Sequence, residues 1–406
     1  MQSPLPEPYR YKLPYFRLLM ASSILVFGIF FLGVFSLNYN SFISRFVSPI
    51  RAETTKKEVF GFAPHWTLSK LSNVDWRLLT TFAYFSLPVD ASGAIDRNTY
   101  EWEVFEGERL GKLFNKAKEN GVRRVFTLTQ MDATSIETFL RSPEAWERLG
   151  NASADILVSK NLDGVNIDFE YIPSNDILKE NFSQFVEKYS QIVKAKKPDS
   201  YITVSVLASS ERFNRIYDIG RLAAATDGIF MMAYDFYYPG SEKAGPSAPL
   251  YGFNNGRGPF WYDVSTAVED FLSVAPAEKI IMGVPYYGWN YPAVNPKPKA
   301  ERTAGLRSFA TTQEKVSENQ LLSTTPVGGW DDDAKVSWRG YWDEFGWHMV
   351  YMEDEKSLSL KYDFIKEKRL AGVGIWALGF DSGEDKLWST LREKLSTTKI
   401  SQALVK

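Results

Sequence analysis

Residues 162–171 read LDGVNIDFEY, and the fold turns on how this stretch is read. Side chains of an extended strand alternate between its two faces. Asn166, Asp168 and Glu170 therefore share one face, and Val165, Ile167 and Phe169 share the other. Neighbours in the polar row stand about 6.6 Å apart, twice the rise of about 3.3 Å per residue. Burying two carboxylates at that spacing is costly unless one keeps a proton. An apolar face toward outer helices and a polar face inward fit a strand of a closed barrel. Glu170 then stands at the C-terminal end, where barrel enzymes carry their chemistry. Taken alone, an Asp-x-Glu fits equally a pair of rim carboxylates met by Lys or Arg.

Outward from this strand, short apolar runs alternate with amphipathic stretches. The runs Val59–Ala63, Leu79–Ser86, Arg124–Thr129, Gly164–Glu170, Tyr201–Ala208, Gly228–Tyr234, Lys279–Pro285 and Gly372–Leu378 read as eight strands. Several are near-continuous Val, Ile and Phe, as parallel strands buried on both faces require. Between them, Trp102–Asn120 carries Leu110, Leu113, Phe114 and Ala117 at helical spacing and ends at Gly121. A second helix follows Asp176 with Phe182, Phe185, Val186, Tyr189 and Val193, and a last one carries Leu358, Tyr362 and Ile365. Strand–helix alternation predicts an α/β protein. Eight units over roughly 340 residues predict a (β/α)8 TIM barrel larger than the typical size of about 250. A doubly wound open sheet is the alternative, but no GxGxxG follows the first strand. The long gap between strands seven and eight, about 290–350, is Pro-rich at its start and aromatic at its end (Trp330, Trp338, Tyr341, Trp342, Trp347). It predicts a small α+β insertion beside the barrel mouth, within a catalytic barrel spanning 58–396 and followed by a tail, 397–406.

Upstream, Leu18–Leu37 is an uncharged run, LLMASSILVFGIFFLGVFSL. At 1.5 Å per residue, a helix of that length spans a hydrocarbon core of about 30 Å. It exceeds the usual h-region of a cleaved signal, and bulky Asn38, Tyr39 and Asn40 follow instead of a small-residue cleavage site. The reading is one transmembrane signal anchor, 18–37, after a cytoplasmic tail, 1–17, and before a linker, 38–57. A cleaved signal and a buried core helix are the other readings of the run. Arg10, Lys12 and Arg17 precede the span while Arg45, Arg51, Lys56 and Lys57 follow it, so flanking charge does not fix the orientation.

Composition narrows the chemistry. Hydrophobic residues make up 44% and charged residues 24%, which permits a sizeable core. A net charge of -2 argues against a nucleic-acid partner. With no Cys, disulfides and thiolate metal sites are excluded. Two His, His65 and His348, leave little for a His-rich metal site, so neither metal nor cofactor is expected. Aromatic residues reach 15%, a surplus that serves a core or a groove in which sugar rings pack on aromatic faces.

DGVNIDFE resembles the Asp-Gly-x-x-x-Asp-x-Glu signature of glycoside hydrolase family 18, the chitinase-like barrels. Met232-Ala233-Tyr234-Asp235 is similar to the family's Met-x-Tyr-Asp, Gly283-Val284-Pro285-Tyr286-Tyr287-Gly288 to its Gly-x-Pro-x-Tyr-Gly, and Gly372-Val373-Gly374-Ile375-Trp376 to its Gly-x-x-x-Trp. Each match falls at a strand end, and together they cover nearly all of Val59 to Lys394. The resemblance implies that Glu170 is the acid/base, that Asp168 orients the substrate's acetamido group, and that Tyr234 hydrogen-bonds that group. It implies that Asn166, Met232, Asp235 and Trp376 bind substrate, with Trp376 stacking under the sugar. Two departures stand out. Asn166 replaces a frequent Asp; it can hydrogen-bond Asp168 but cannot share its proton. Thr127-Leu128-Thr129-Gln130 replaces Ser-x-Gly-Gly. Both look like the bacterial spore-cortex and cell-wall branch, which shifts the expected polysaccharide from chitin toward peptidoglycan and sets the barrel outside the cell membrane.

The one clear carboxylate pair lies along a single strand, and no residue marks a second carboxylate facing Glu170. The expected reaction is therefore retaining, substrate-assisted hydrolysis of β-1,4 bonds beside N-acetylglucosamine. A non-catalytic, lectin-like barrel and an unrelated enzyme holding a metal through Asp168 and Glu170 are the alternatives.

Overall fold

The computed structural model describes residues 56–173, 175–323, 325–381 and 385–395. The expected span 18–37, its flanks up to residue 55 and the tail 397–406 lie outside the described residues. Among the described residues, no helix is long and apolar enough to cross a membrane.

In chain order the strands are β1 (Glu58–Pro64), β2 (Thr81–Pro88), β3 (Arg123–Gln130), β4 (Gly164–Phe169), β5 (Tyr201–Leu207), β6 (Gly228–Met232), β7 (Ile280–Pro285), β8 (Gly288–Ala293), β9 (Phe309–Thr311), β10 (Val327–Asp331), β11 (Val336–Asp343), β12 (Gly346–Met352) and β13 (Gly372–Trp376). The helices are α1 (Tyr100–Glu106), α2 (Glu108–Glu119), α3 (Ala133–Leu140), α4 (Pro143–Ser159), α5 (Asp176–Lys196), α6 (Ile219–Ala225), α7 (Val264–Leu272), α8 (Gln313–Leu322), α9 (Glu355–Glu367) and α10 (Asp385–Leu395). Strands β1 to β7 and β13 pair in parallel and close on themselves in the order β1-β13-β7-β6-β5-β4-β3-β2. All eight expected strands are present, and the fold is an eight-stranded parallel barrel.

Two expectations change in detail. The helix expected over Trp102–Asn120 is two helices, because Gly107 takes an extended ψ of 154° and caps both. Strands β4 and β6 stop at Phe169 and Met232, so Glu170 and Tyr234 stand on the turns beyond them. Helix α10 was not anticipated; its buried face of Leu387, Trp388 and Leu391 belongs to the same apolar layer as Leu358, Tyr362 and Ile365 of α9.

The barrel interior has two chemically distinct halves. Phe60, Phe62, Ala83, Val125, Phe230, Met232 and Ile281 form one apolar cluster. Its rings meet edge to face, Phe62–Phe230 at 4.8 Å and Phe60–Phe230 at 5.5 Å, contacts worth about 0.5–1.5 kcal/mol each beyond their buried area. Gly374 makes this possible, since a Cβ there would sit 1.9 Å from the Phe230 ring. The other half, on β3 to β5, is polar. Asn166 is fully buried, aligned with Thr127 on β3 and Thr203 on β5. Thr203 Oγ1 donates to Asn166 Oδ1 (2.8 Å), and Asn166 Nδ2 donates to Ser205 Oγ (2.9 Å). Outside, α5 starts at Asn175, whose side chain accepts from Leu178 N–H, and buries Phe182, Phe185, Val186, Tyr189 and Val193 against the strands.

Between β7 and β13 the chain builds a five-stranded antiparallel sheet, ordered β10-β11-β12-β8-β9, with α8. Strand β8 begins three residues after β7 ends, so the sheet grows directly from the barrel rim. It is packed from below by loops that follow β6. Ala244 joins Tyr291, Ala293 and Met349, and Phe260 joins Val336 and Tyr351.

Candidate active site

The C-terminal ends of the barrel strands open into a cavity of about 700 Å³, a size suited to a small ligand or a few sugar rings. Trp376, the last residue of β13, lines one wall. Its ring packs against Phe85 at 4.7 Å and Phe62 at 5.5 Å, which fixes it at the edge of the apolar half of the barrel. Strand β4 stands four places away in the ring of eight, on the opposite wall.

Two acids rise from β4. Asp168 is 4% exposed, and its Oδ1 has no hydrogen-bond partner among the described residues. Burial, reinforced by the charge of Glu170, holds its proton affinity well above the ordinary carboxylate range. Glu170 is half-buried. Its backbone N–H donates to Gln130 O at 3.0 Å, which steers the chain as it leaves the strand. Burial, then the charge of Asp235, raises its proton affinity too. The sequence marks no second carboxylate facing Glu170; the carboxylate whose charge acts on it is Asp235, on the turn after β6.

Asp235 has a φ of +60°, the left-handed region that short polar side chains tolerate. Ser247 holds this turn, accepting from Asp235 N–H at 3.0 Å and donating to Asp235 Oδ1 at 3.1 Å. Trp289 Nε1 (2.8 Å) and the Tyr287 hydroxyl donate to the same oxygen. The carboxylate opens to the cavity, yet burial still raises its proton affinity against the pull of these three donors. Between the acids, Tyr234 keeps its phenolic proton through burial and the charges of Asp168, Glu170 and Asp235. It can therefore only be a neutral donor and acceptor. Gly283 leaves it room, since a Cβ there would lie 2.9 Å from Tyr234 Cε1 and 2.8 Å from Met231 O.

Asp168, Glu170, Met232, Tyr234, Asp235 and Trp376 all line this one cavity. Asn166 does not. It lies below Asp168, spends both ends of its amide on Thr203 and Ser205, and makes no bond to Asp168. It is a buried residue of the polar half, and the expected place for it among the substrate-binding residues of the cavity wall is not where the structure puts it. Residues not anticipated from the sequence are Tyr287, Trp289 and Arg215. Tyr287 lies inside the Gly283–Gly288 motif, which was a usable signal. Trp289 had only its proximity to that motif, and Arg215 stands in a loop with no pattern to mark it.

Residues 58–381 match the sequence profile of the glycosyl hydrolases family 18. The chain is 28% identical over 329 residues to YdhD of Bacillus subtilis, assigned as a sporulation-specific glycosylase, over 77% of this chain and 70% of that one. The fold is similar to that of the spore cortex-lytic enzyme SleL of Bacillus megaterium, with a TM-score of 0.67 and 21% identity over 84% of this chain and 75% of that one. It is similar also to Ostrinia furnacalis Group IV chitinase, with a TM-score of 0.72 and 20% identity over 84% and 98% of the two chains.

Proposed function

The chain belongs to the glycosyl hydrolases of family 18, and on that premise we propose that it cleaves β-1,4 bonds beside N-acetylglucosamine by retaining, substrate-assisted hydrolysis. The sugar to be attacked rests on Trp376. Glu170, whose proton affinity burial and the charge of Asp235 raise, gives its proton to the bridging oxygen as the bond from that oxygen to C1 breaks. The acetamido carbonyl oxygen of the same sugar closes on C1, with the high effective molarity of an intramolecular group. The resulting ring carries positive charge on its nitrogen; Asp168 receives that N–H, and Tyr234 hydrogen-bonds the amide oxygen. Glu170, now a carboxylate, takes a proton from a water that attacks C1 and reopens the ring with net retention.

One observation supports this reading above the others: the Asp168 carboxyl is buried at the wall of the cavity, and its Oδ1 has no hydrogen-bond partner among the described residues. Buried polar groups are almost always paired, and an acetamido N–H supplies the missing partner. Asn166 is committed to Thr203 and Ser205, so on this face it is the charge of Glu170, added to burial, that raises the proton affinity of Asp168. Asp235 is poorly suited to be the nucleophile, since one of its oxygens already accepts from three donors. An intact acid with raised proton affinity also argues against a purely sugar-binding barrel.

Peptidoglycan is favoured over chitin, in keeping with the sporulation and cortex-lytic roles of the similar bacterial proteins. Residues 18–37 would tether the barrel at the outer face of the cell membrane, a reading supported by the uncharged run alone. The test uses matched oligomers, one N-acetylated and one with a free amine on the sugar to be attacked. Cleavage of only the acetylated one is expected. Equal rates on both would remove substrate assistance from the mechanism. Mass identification of products from peptidoglycan and from chitin oligomers decides the glycan.

A further inference from the structure

Among the described residues, Arg215 is the only cationic side chain lining the cavity. It sits on the loop after β5, beside the loop that leaves β4. Its Nη1 donates to Ile172 O, its Nε is enclosed with no partner among the described residues, and its guanidinium carbon lies 5.7 Å from the centre of the Phe213 ring. Other arginines of this protein use the Nε–Nη2 edge to grip a carboxylate. Arg124 does so with Asp163 at 2.8 and 3.0 Å, and Arg221 with Glu187 at 2.9 and 3.0 Å. On Arg215 the same edge has no carboxylate among the described residues. Nor is the cavity's own acidity its counterpart. Asp168 and Glu170 respond to each other and to Asp235, and Arg215 relieves none of the three. The guanidinium is partly buried, its Nε is enclosed, and burial lowers its proton affinity; a ligand anion on that edge offsets the loss.

The position indicates which part of the substrate brings the anion. Trp376 ends β13, whereas Arg215 and Ile172 stand above β5 and β4, on the opposite wall. With the attacked sugar on Trp376 and the bridging oxygen at Glu170, the leaving-group sugar continues past the acid toward Arg215. Apolar side chains flank that end of the cavity, Met131 and Ile172 among them, and a charge pair is stronger there than in open water.

We propose that Arg215 is a specificity residue that binds a carboxylate carried by the leaving-group sugar, of the kind a 3-O-lactyl amino sugar presents. This rests on the hydrolase reading above and narrows it: the preferred bond joins an N-acetylglucosaminyl unit to an acidic amino sugar. The carboxylate has two sources, the free lactyl group of a peptide-stripped unit or the first acid of an attached peptide. The planar guanidinium fork suits either, and a point-charge lysine does so less well.

The test measures kcat/KM of the full-length protein on bacterial wall glycan stripped of peptide, before and after its carboxyls are converted to methylamides. Peptide-bearing glycan and an N-acetylglucosamine oligomer form the other arms. The wild type should prefer free carboxyls by about tenfold or more, chiefly through KM, as one charged hydrogen-bonded contact implies. That ratio should fall to about one in Arg215→Ala and be partly kept in Arg215→Lys. Because the ratio is internal to each variant, reduced folding does not imitate the result. A wild-type ratio near one, or a preference that survives Arg215→Ala, overturns the proposal while oligomer cleavage leaves the hydrolase reading standing. Failure to cleave any of the four overturns both. An Arg215-dependent preference for the peptide-bearing glycan assigns the carboxylate to the peptide.

Discussion

Asn166 and Asp168 share one face of β4, two residues apart, yet the first is fully satisfied by hydrogen bonds and the second is not. Their substitutions should therefore fail in opposite ways. Asn166→Ala strands Thr203 Oγ1 and Ser205 Oγ in the interior and should destabilise the fold by about 1–3 kcal/mol, seen as a lower Tm. Asp168→Asn should abolish most of the activity while leaving the protein at least as stable. The sign follows from proton binding. Asp168 holds its proton to a higher pH when folded than the unfolded value of about 3.9, so between those two values the folded chain binds more protons and loses stability as pH rises. The Tm advantage of Asp168→Asn should grow from about pH 4 upward; a gap that is flat with pH would contradict the neutral state of Asp168. Asp235→Asn removes the charge that raises Glu170. Because the acid works in its protonated form, the alkaline limb of the kcat/KM profile should move to lower pH, and a shift the other way would remove Asp235 from the acid's surroundings. Strand alternation was enough to align Asn166 and Asp168 on β4 and to point to Glu170 just beyond its end. It could not tell a satisfied amide from an unsatisfied acid, because the deciding hydroxyls lie on β5. Asp235 was marked by its motif, but its electrostatic effect on Glu170 was not, since sequence spacing says nothing about how near the turns after β4 and β6 come to each other.

At the scale of elements, the strands were legible because each is a short Val, Ile and Phe run closed by polar or Gly-rich turns. Their ends were not, and β4 and β6 stop before Glu170 and Tyr234 because hydrogen bonding to neighbouring strands, rather than residue type, ends a strand. The split of α1 from α2 depends on one glycine whose backbone could have continued the helix. Pairings within the inserted sheet were unreadable for the same reason as Asp235: β8 lies beside β12 across more than fifty residues. Glycine in β13 has a consequence that can be measured. Gly374→Ala drives a methyl into the Phe230 ring, and overpacking of this kind costs about 1–3 kcal/mol. It should also unsettle Trp376 through Phe62. Phe230→Leu alone opens a gap, but combined with Gly374→Ala it should recover part of the lost stability, the non-additivity that contacting residues display. Strictly additive losses would mean that the two positions do not meet.

For the whole molecule, the barrel is tied off at its N-terminal edge by Lys56 and Lys57. Lys56 Nζ donates to Arg77 O (3.1 Å) and Leu79 O (3.3 Å), and Lys57 Nζ to Leu370 O (2.5 Å). These two residues, read in the sequence as the end of a linker, belong to the folded body. Removal of residues 1–55 should give a soluble protein with unchanged melting and turnover, whereas removal through Lys57 should lower Tm. The full-length chain should sediment with membranes and resist extraction by high salt; its release by salt would argue against an anchor. One feature joins the barrel to its inserted sheet in a less obvious way. Asp235 is gripped by Tyr287 at the junction and by Trp289 on β8, which is itself laced to β9 and β12. The strength of the acid on the far wall thereby depends on how firmly that sheet is clamped to the rim. Loosening the clamp from its own small core, for instance with Met349→Ala beneath Tyr291, would let the grip on Asp235 slip. The acid would then serve as a gauge of mechanical tension, its pH profile drifting although no group that touches sugar had changed.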